Sequence, residues 1–132
     1  MDIIALIKRN YRENYQLCKP LPENKYEKAS SFLPAELYNV LKISNGIDET
    51  MAVSDTGKKI IIGRIIYSFD EIIKETSWYL SENDSEGIVF AGNGAGGCFI
   101  LKPDGKVFIN EFFDEGEEYY ADSLSDFFGK AF

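Results

Sequence analysis

Two stretches of this chain carry residue types at spacings that suit chemistry. One is Gly92-Asn93-Gly94-Ala95-Gly96-Gly97. The other is the carboxylate run of Glu111, Asp114, Glu115, Glu117 and Glu118. The first fits G-x-G-x-x-G through Gly92, Gly94 and Gly97, the spacing of a dinucleotide-binding loop. That chemistry requires the glycines to open a helix whose N-terminus faces a pyrophosphate. Here they run into Cys98-Phe99-Ile100-Leu101, and Pro103 follows two residues later, so no helix starts there. No acidic residue closes a second parallel strand. The glycines therefore predict a bulged or sharply bent β-connection. In the second stretch, Asp114, Glu115, Glu117 and Glu118 offer oxygens for a hard cation. They lack the alternating ligand spacing of D-x-[DN]-x-[DN]-G, and no metal or cofactor is predicted.

The rest of the composition narrows the chemistry further. The chain has no histidine, which removes the commonest general base, the usual Ser and Cys triads and the most frequent zinc sites. Cys18 and Cys98 form neither a disulfide framework nor a metal-ligand pair. No catalytic set is predicted. The net charge of −8 is unevenly spread: residues 1–64 hold 10 Lys and Arg against 8 Asp and Glu, residues 65–132 only 4 against 14. Phosphate affinity comes mainly from Lys and Arg, so nucleic acid is disfavoured as a partner and a basic protein favoured. No apolar run approaches the roughly 20 residues that span a bilayer. The start, Met1-Asp2-Ile3-Ile4, has no basic n-region. With the two lone cysteines, this predicts a reducing cytoplasm and no membrane.

The elements that must hold these stretches are legible from periodicity. The 132 residues, 45% hydrophobic with 10 Phe, 8 Tyr and 1 Trp, predict one domain over residues 1–132 with a real core. Ile4, Ile7, Tyr11, Tyr15 and Cys18 recur at helical spacing over residues 2–18, and Pro20 and Pro22 end that helix. A short helical piece is expected around residues 26–31. Leu33-Pro34 opens the next helix, with Leu37, Val40 and Leu41 on one face and Ser44-Asn45-Gly46 as its stop. Residues 47–59 read as loop with a minor strand near 51–53. Residues 59–69 read as one strand interrupted by Gly63 and Arg64, compatible with a bulge or an exposed face. Ser68 and Asp70 are both candidate caps for a helix over residues 70–80, its stripe formed by Ile72, Ile73, Thr76 and Tyr79 or Leu80. Trp78 is assigned to core or helix-edge packing.

Three strands follow, at residues 88–91, 98–101 and 107–113, rich in β-branched and aromatic types. Lys102-Pro103-Asp104-Gly105-Lys106 turns the last two. Residues 115–120 read as an acidic loop with paired tyrosines, and residues 124–130 as a closing helix behind Asp122-Ser123. The predicted class is α+β, an antiparallel sheet of about four to six strands with helices packed on it.

The order of these motifs resembles the SUKH superfamily, domains shared by a yeast cell-wall synthesis regulator and many bacterial toxin-immunity proteins. The helix from Leu33-Pro34 to Ser44-Asn45-Gly46 is similar to that family's LP-to-NG helix. Ile65-Ile66-Tyr67-Ser68 resembles its first strand and crossover, and residues 90–97 its glycine-rich connection. Asp104-Gly105-Lys106-Val107-Phe108 resembles the hairpin that follows, and residues 121–128 the closing helix. The likeness covers about residues 21–128 and leaves residues 1–20 outside.

For a bacterial member the resemblance implies an immunity protein, not an enzyme, which binds a cognate protein toxin in the cytoplasm and blocks it. A basic nuclease domain would complement the acidic half. The alternative is a regulatory protein-interaction or small-ligand module related to cell-wall synthesis regulators. In the immunity reading Glu111, Asp114, Glu115, Glu117 and Glu118 steer the partner, while Tyr119 and Tyr120 anchor it. The oligomeric state is left open.

Overall fold

The computed structural model describes residues 3–5, 15–49, 52–53, 56, 59–60, 64–111 and 116–130. After a helical piece at residues 3–5, the first strand is β1 (Tyr15–Leu17). A 3₁₀ turn (Glu23–Lys25), α1 (Tyr26–Phe32) and α2 (Ala35–Ile43) follow. Then come β2 (Ile47–Glu49), β3 (Ala52–Val53), β4 (Lys59–Ile60) and β5 (Ile65–Ile66). The long helix α3 (Phe69–Glu82) leads to β6 (Ile88–Gly92), β7 (Cys98–Leu101), β8 (Val107–Asn110) and β9 (Glu118–Ala121). Helix α4 (Leu124–Gly129) closes the described chain.

The α+β class is as expected. Seven strands form one antiparallel sheet in the order β1-β2-β5-β6-β7-β8-β9, while β3 and β4 pair separately. β6, β7, β8 and β9 pair consecutively through short connections, whereas β5 reaches its neighbour β6 by way of α3. Side chains alternate across the sheet with period two. Phe99 and Leu101 of β7 face the larger core with Leu37, Val40 and Leu41 of α2 and Leu124, Phe127 and Phe128 of α4. Cys98 and Ile100 face the other way, into a smaller cluster with Val89 and Tyr79 of α3. Sheet faces of this kind bury their apolar side only because helices cover them.

Several local readings change. Residues 15–17, expected at the end of a helix, are strand. Tyr15, Gln16 and Leu17 pair with Glu49, Asp48 and Ile47, so sheet pairing overrides the three- and four-residue spacing and adds a strand beyond the expected count. The expected strand over 59–69 divides between two sheets, β4 pairing with β3 and β5 with β2 and β6. Residues 118–120, expected as loop, belong to the strand Glu118–Ala121 paired with β8. The strand expected over 107–113 is described to Asn110, and Phe112 and Phe113 lie outside the described residues.

Ser44-Asn45-Gly46 proves to be a joint between elements. The buried Ser44 hydroxyl donates to the Gly46 carbonyl at 2.5 Å and accepts from the Cys18 backbone N–H at 2.8 Å. Asn45 Oδ1 accepts from the Phe69 N–H at 2.8 Å, so the stop of α2 also holds the start of α3. Gly46 takes φ +115°, a conformation that side chains resist. At Ser68 a reciprocal capping box with Glu71 starts α3, settling the choice between Ser68 and Asp70.

Candidate functional site

The second, acidic half of the sequence runs from β5 to α4, and there the candidate residues separate into three settings. The first is the sheet end. β9 is the terminal strand of the sheet, and it carries Glu118 and Tyr119 exposed to solvent. Tyr119 is 54% exposed. Its ring meets Phe108 edge-on at 6.2 Å, and its hydroxyl donates to Asp122 Oδ1. That hydrogen bond, ahead of a small burial effect, pushes the Tyr119 hydroxyl up to about 12, so the side chain is neutral at pH 7. Glu111, one residue beyond β8, is exposed on the same hairpin. Asp114 and Glu115 lie outside the described residues. Tyr120 sits differently: half-buried, its ring packs on Phe99 at 4.8 Å and on Phe127 at 5.7 Å.

The second setting holds Glu117. Its carboxylate accepts from the Tyr79 and Ser85 hydroxyls, both at 2.6 Å, and pairs with Lys102 Nζ at 2.5 Å. Lys102 also donates to Ser85 at 2.8 Å, and Asn110 Nδ2 donates to the Tyr79 hydroxyl at 2.9 Å. Five side chains from α3, the loop after it, the β7–β8 turn, β8 and the residue before β9 thus share one network. Burial pushes the Glu117 carboxyl up, but the hydrogen bonds from Lys102, Ser85 and Tyr79 and the Lys102 charge outweigh it. The group is held below the ordinary carboxylate value. Nothing in the sequence distinguished Glu117 from its neighbours. What singles it out is Lys102, which the β7–β8 turn holds beside the residue before β9.

The third setting is the glycine connection. Asn93 Oδ1 accepts from the Ala95 and Gly97 N–H groups at 2.9 and 2.8 Å, and the Asn93 N–H donates to the Gly97 carbonyl at 3.2 Å. Two of the amides that would cradle a phosphate are already satisfied, and the loop joins β6 to β7 without a helix. The bent β-connection is what forms. A Cβ on Gly97 would stand 2.6 Å from Asn93 Nδ2 and 2.9 Å from both the Asn110 carbonyl oxygen and Glu111 Cα. Glycine is required there, and the same closeness sets Glu111 beside the loop.

Between this loop and α3 lies a cleft of about 300 Å³, lined by Tyr67, Glu75, Trp78, Tyr79 and Cys98. Trp78, assigned from the sequence to packing, is 47% exposed. Burial, with smaller repulsion from Glu75 and other acidic groups, pushes both the Tyr67 hydroxyl and the Cys98 thiol up to about 12. Cys98 is therefore a protonated, buried thiol and no nucleophile at neutral pH.

Arg64, read as an interruption of an apolar strand, is only 2% exposed. Its guanidinium lies 3.9 Å from the Phe127 ring centroid and donates to the Phe127 carbonyl at 2.6 Å, near the end of α4. It also donates to the Tyr120 hydroxyl at 3.3 Å, which helps hold Tyr120 inward. No helix among the described residues is long and apolar enough to cross a membrane. Among them, no three His, Cys, Asp or Glu side chains converge on a metal-sized space.

The order LP-to-NG helix, crossover α3, glycine connection, Asp-Gly hairpin and closing helix is now matched by geometry. The profile of the SMI1 / KNR4 family (SUKH-1) matches residues 24–130. The chain belongs to the SUKH-1 family. The match begins at the 3₁₀ turn and ends within the residue after α4, so it includes the sheet end, the Glu117 network and the cleft. It leaves out β1, the strand that lengthens the sheet. No curated protein matches the chain.

Proposed function

We propose that the chain is an immunity protein which binds and neutralises a cognate protein toxin, in the cytoplasm, through an acidic surface at the β9 end of the sheet. SUKH-1 membership over residues 24–130 carries this reading, since the family includes immunity proteins of polymorphic toxins. The surface follows from charge and exposure. Residues 65–132 hold 14 Asp and Glu against 4 Lys and Arg, and Glu111, Glu118 and Tyr119 stand exposed around a terminal strand. Asp114 and Glu115 extend the same acidic run in sequence.

Magnitudes divide the work. Each exposed charge contributes roughly 0.2–1 kcal/mol, while the summed field raises association rates by about 10–10³-fold. A large aromatic anchor costs ~2 kcal/mol or more when truncated. Glu111, Asp114, Glu115 and Glu118 therefore steer, and Tyr119 anchors. Glu117 and Tyr120 act from behind: the first ties the strand to α3 and Lys102, the second seats it on Phe99 and Phe127. A partner with a basic face, such as a nuclease domain, is the complementary shape of charge.

The test is co-purification of the tagged chain from a strain carrying its neighbouring reading frames, at low and moderate salt. A stoichiometric complex with a toxin-like domain, weakened by Glu118→Gln and Tyr119→Ala, is the expected result. A chain that retains a small metabolite and no protein would instead favour the regulatory, ligand-binding alternative.

A further inference from the structure

The cleft beside α3 holds groups that the β9 surface does not use. Glu75 and Trp78 stand three residues apart on α3, so their side chains rise from one face. Glu75 is half-buried and makes no hydrogen bond or ion pair with any described residue. Its carboxylate has no cation beside it among the described residues, and the walls of a cleft concentrate its field. The Tyr67 hydroxyl also has no hydrogen-bond partner among the described residues, and it feels the Glu75 charge. The facing wall is backbone. Gly94 and Gly96 take φ +78° and +94°, and a Cβ on Gly96 would meet nothing within 4 Å, so that wall is set back from Trp78. At about 300 Å³ the cleft lies at the lower limit for ligand pockets. It has the size for one long side chain.

We propose that this cleft receives a single arginine side chain of the bound protein, its guanidinium paired with the Glu75 carboxylate and lying flat on the Trp78 indole. Guanidinium suits the space better than ammonium. It is planar, stacks on an aromatic face, and offers a fork of donors to a carboxylate with one left for the Tyr67 hydroxyl oxygen. The idea rests on the partner-binding reading above and adds to it a second, shape-selective contact. The acidic sheet end attracts a basic surface, and the cleft selects one residue of it.

Trp78 is the sole tryptophan of the chain, so its emission reports on the cleft directly. The experiment titrates the full chain with N-acetyl-arginine amide and with the neutral isostere N-acetyl-citrulline amide. A saturable emission change with arginine is expected, at least tenfold weaker with citrulline. Glu75→Gln should weaken arginine binding at least tenfold with unchanged circular dichroism, whereas Glu36→Gln, in the exposed first turn of α2, should leave it as it was. A linear response shared by both compounds, or arginine binding retained in Glu75→Gln, overturns the proposal. The two readings also fail separately. A purified toxin complex sensitive to Glu118→Gln but indifferent to Glu75→Gln removes the arginine cleft and leaves the immunity reading. Selective arginine binding in a chain that captures no protein keeps the cleft and removes the toxin.

Discussion

Replacing Glu117 by alanine separates a surface charge from a structural one. An exposed glutamate of an acidic loop contributes little to stability, roughly 0–1 kcal/mol even when paired. The Glu117 carboxylate instead takes three hydrogen bonds, and its side chain and that of Lys102 are 19% and 16% exposed. Each charge-assisted bond contributes about 1.5–3 kcal/mol net. The three do not simply add, because the groups left behind keep other partners. Lys102 still donates to Ser85 and to the Glu86 carbonyl at 3.1 Å, and Tyr79 still accepts from Asn110. The net loss is about 2–3 kcal/mol. With a urea slope of about 1–3 kcal/mol per molar, the unfolding midpoint should fall by roughly 1–2 M, read by far-UV circular dichroism. A double-mutant cycle with Lys102→Met should return a coupling of about 1 kcal/mol or more. A midpoint within about 0.3 M of the parent, with no coupling, would refute the network and return Glu117 to the solvated surface.

The pH dependence of stability carries the same group. Because the folded Glu117 carboxyl is held below its ordinary value, the folded state binds this proton less readily than the unfolded one. Its contribution is complete above the ordinary Glu value of about 4.3 and fades as pH falls through the lowered folded value. Melting curves from pH 6 to pH 2 should show an acid limb that Glu117→Gln flattens. Arg64→Met removes a buried donor from the Phe127 carbonyl and the cation from the Phe127 ring. The combined cost is about 2–4 kcal/mol, read as a drop of about 10 °C in Tm, and a drop under about 3 °C would contradict the packing described. Gly97→Ala forces a Cβ against two backbone atoms that cannot turn aside. It should destabilise by about 1–3 kcal/mol, measurable in urea, and a neutral outcome would mean the connection is looser than drawn.

Much of this fold was legible because its signals are local. Pro34, the Leu37-Val40-Leu41 stripe and Ser44-Asn45-Gly46 define α2 within a dozen residues, and Asp104-Gly105 fixes the β7–β8 turn. What was not legible depends on distant partners. Tyr15–Leu17 becomes strand because Ile47–Glu49 lies beside it. Arg64 looks like a solvent-facing break until α4, some sixty residues later, supplies the ring and carbonyl that bury it. The candidate site divides the same way. The excess of carboxylates in the second half is plain from composition, but neighbours in sequence take opposite roles. Tyr119 and Tyr120 point to opposite sides of β9, so one is exposed and the other packs, as the period of a strand requires. Glu117 and Glu118 differ because only the first meets Lys102. Glu75 carried no signal, since its importance lies in the cleft around it.

Growth protection is the decisive test of toxin neutralisation. The chain would be co-expressed with the toxin-like domain encoded by an adjacent reading frame, and survival compared with cells making that domain alone. Full protection by the parent chain is expected. Protection should be lost, with the fold retained by circular dichroism, when Glu118→Lys and Tyr119→Ala are combined at the sheet end. Cells that die equally with and without the parent chain would contradict neutralisation.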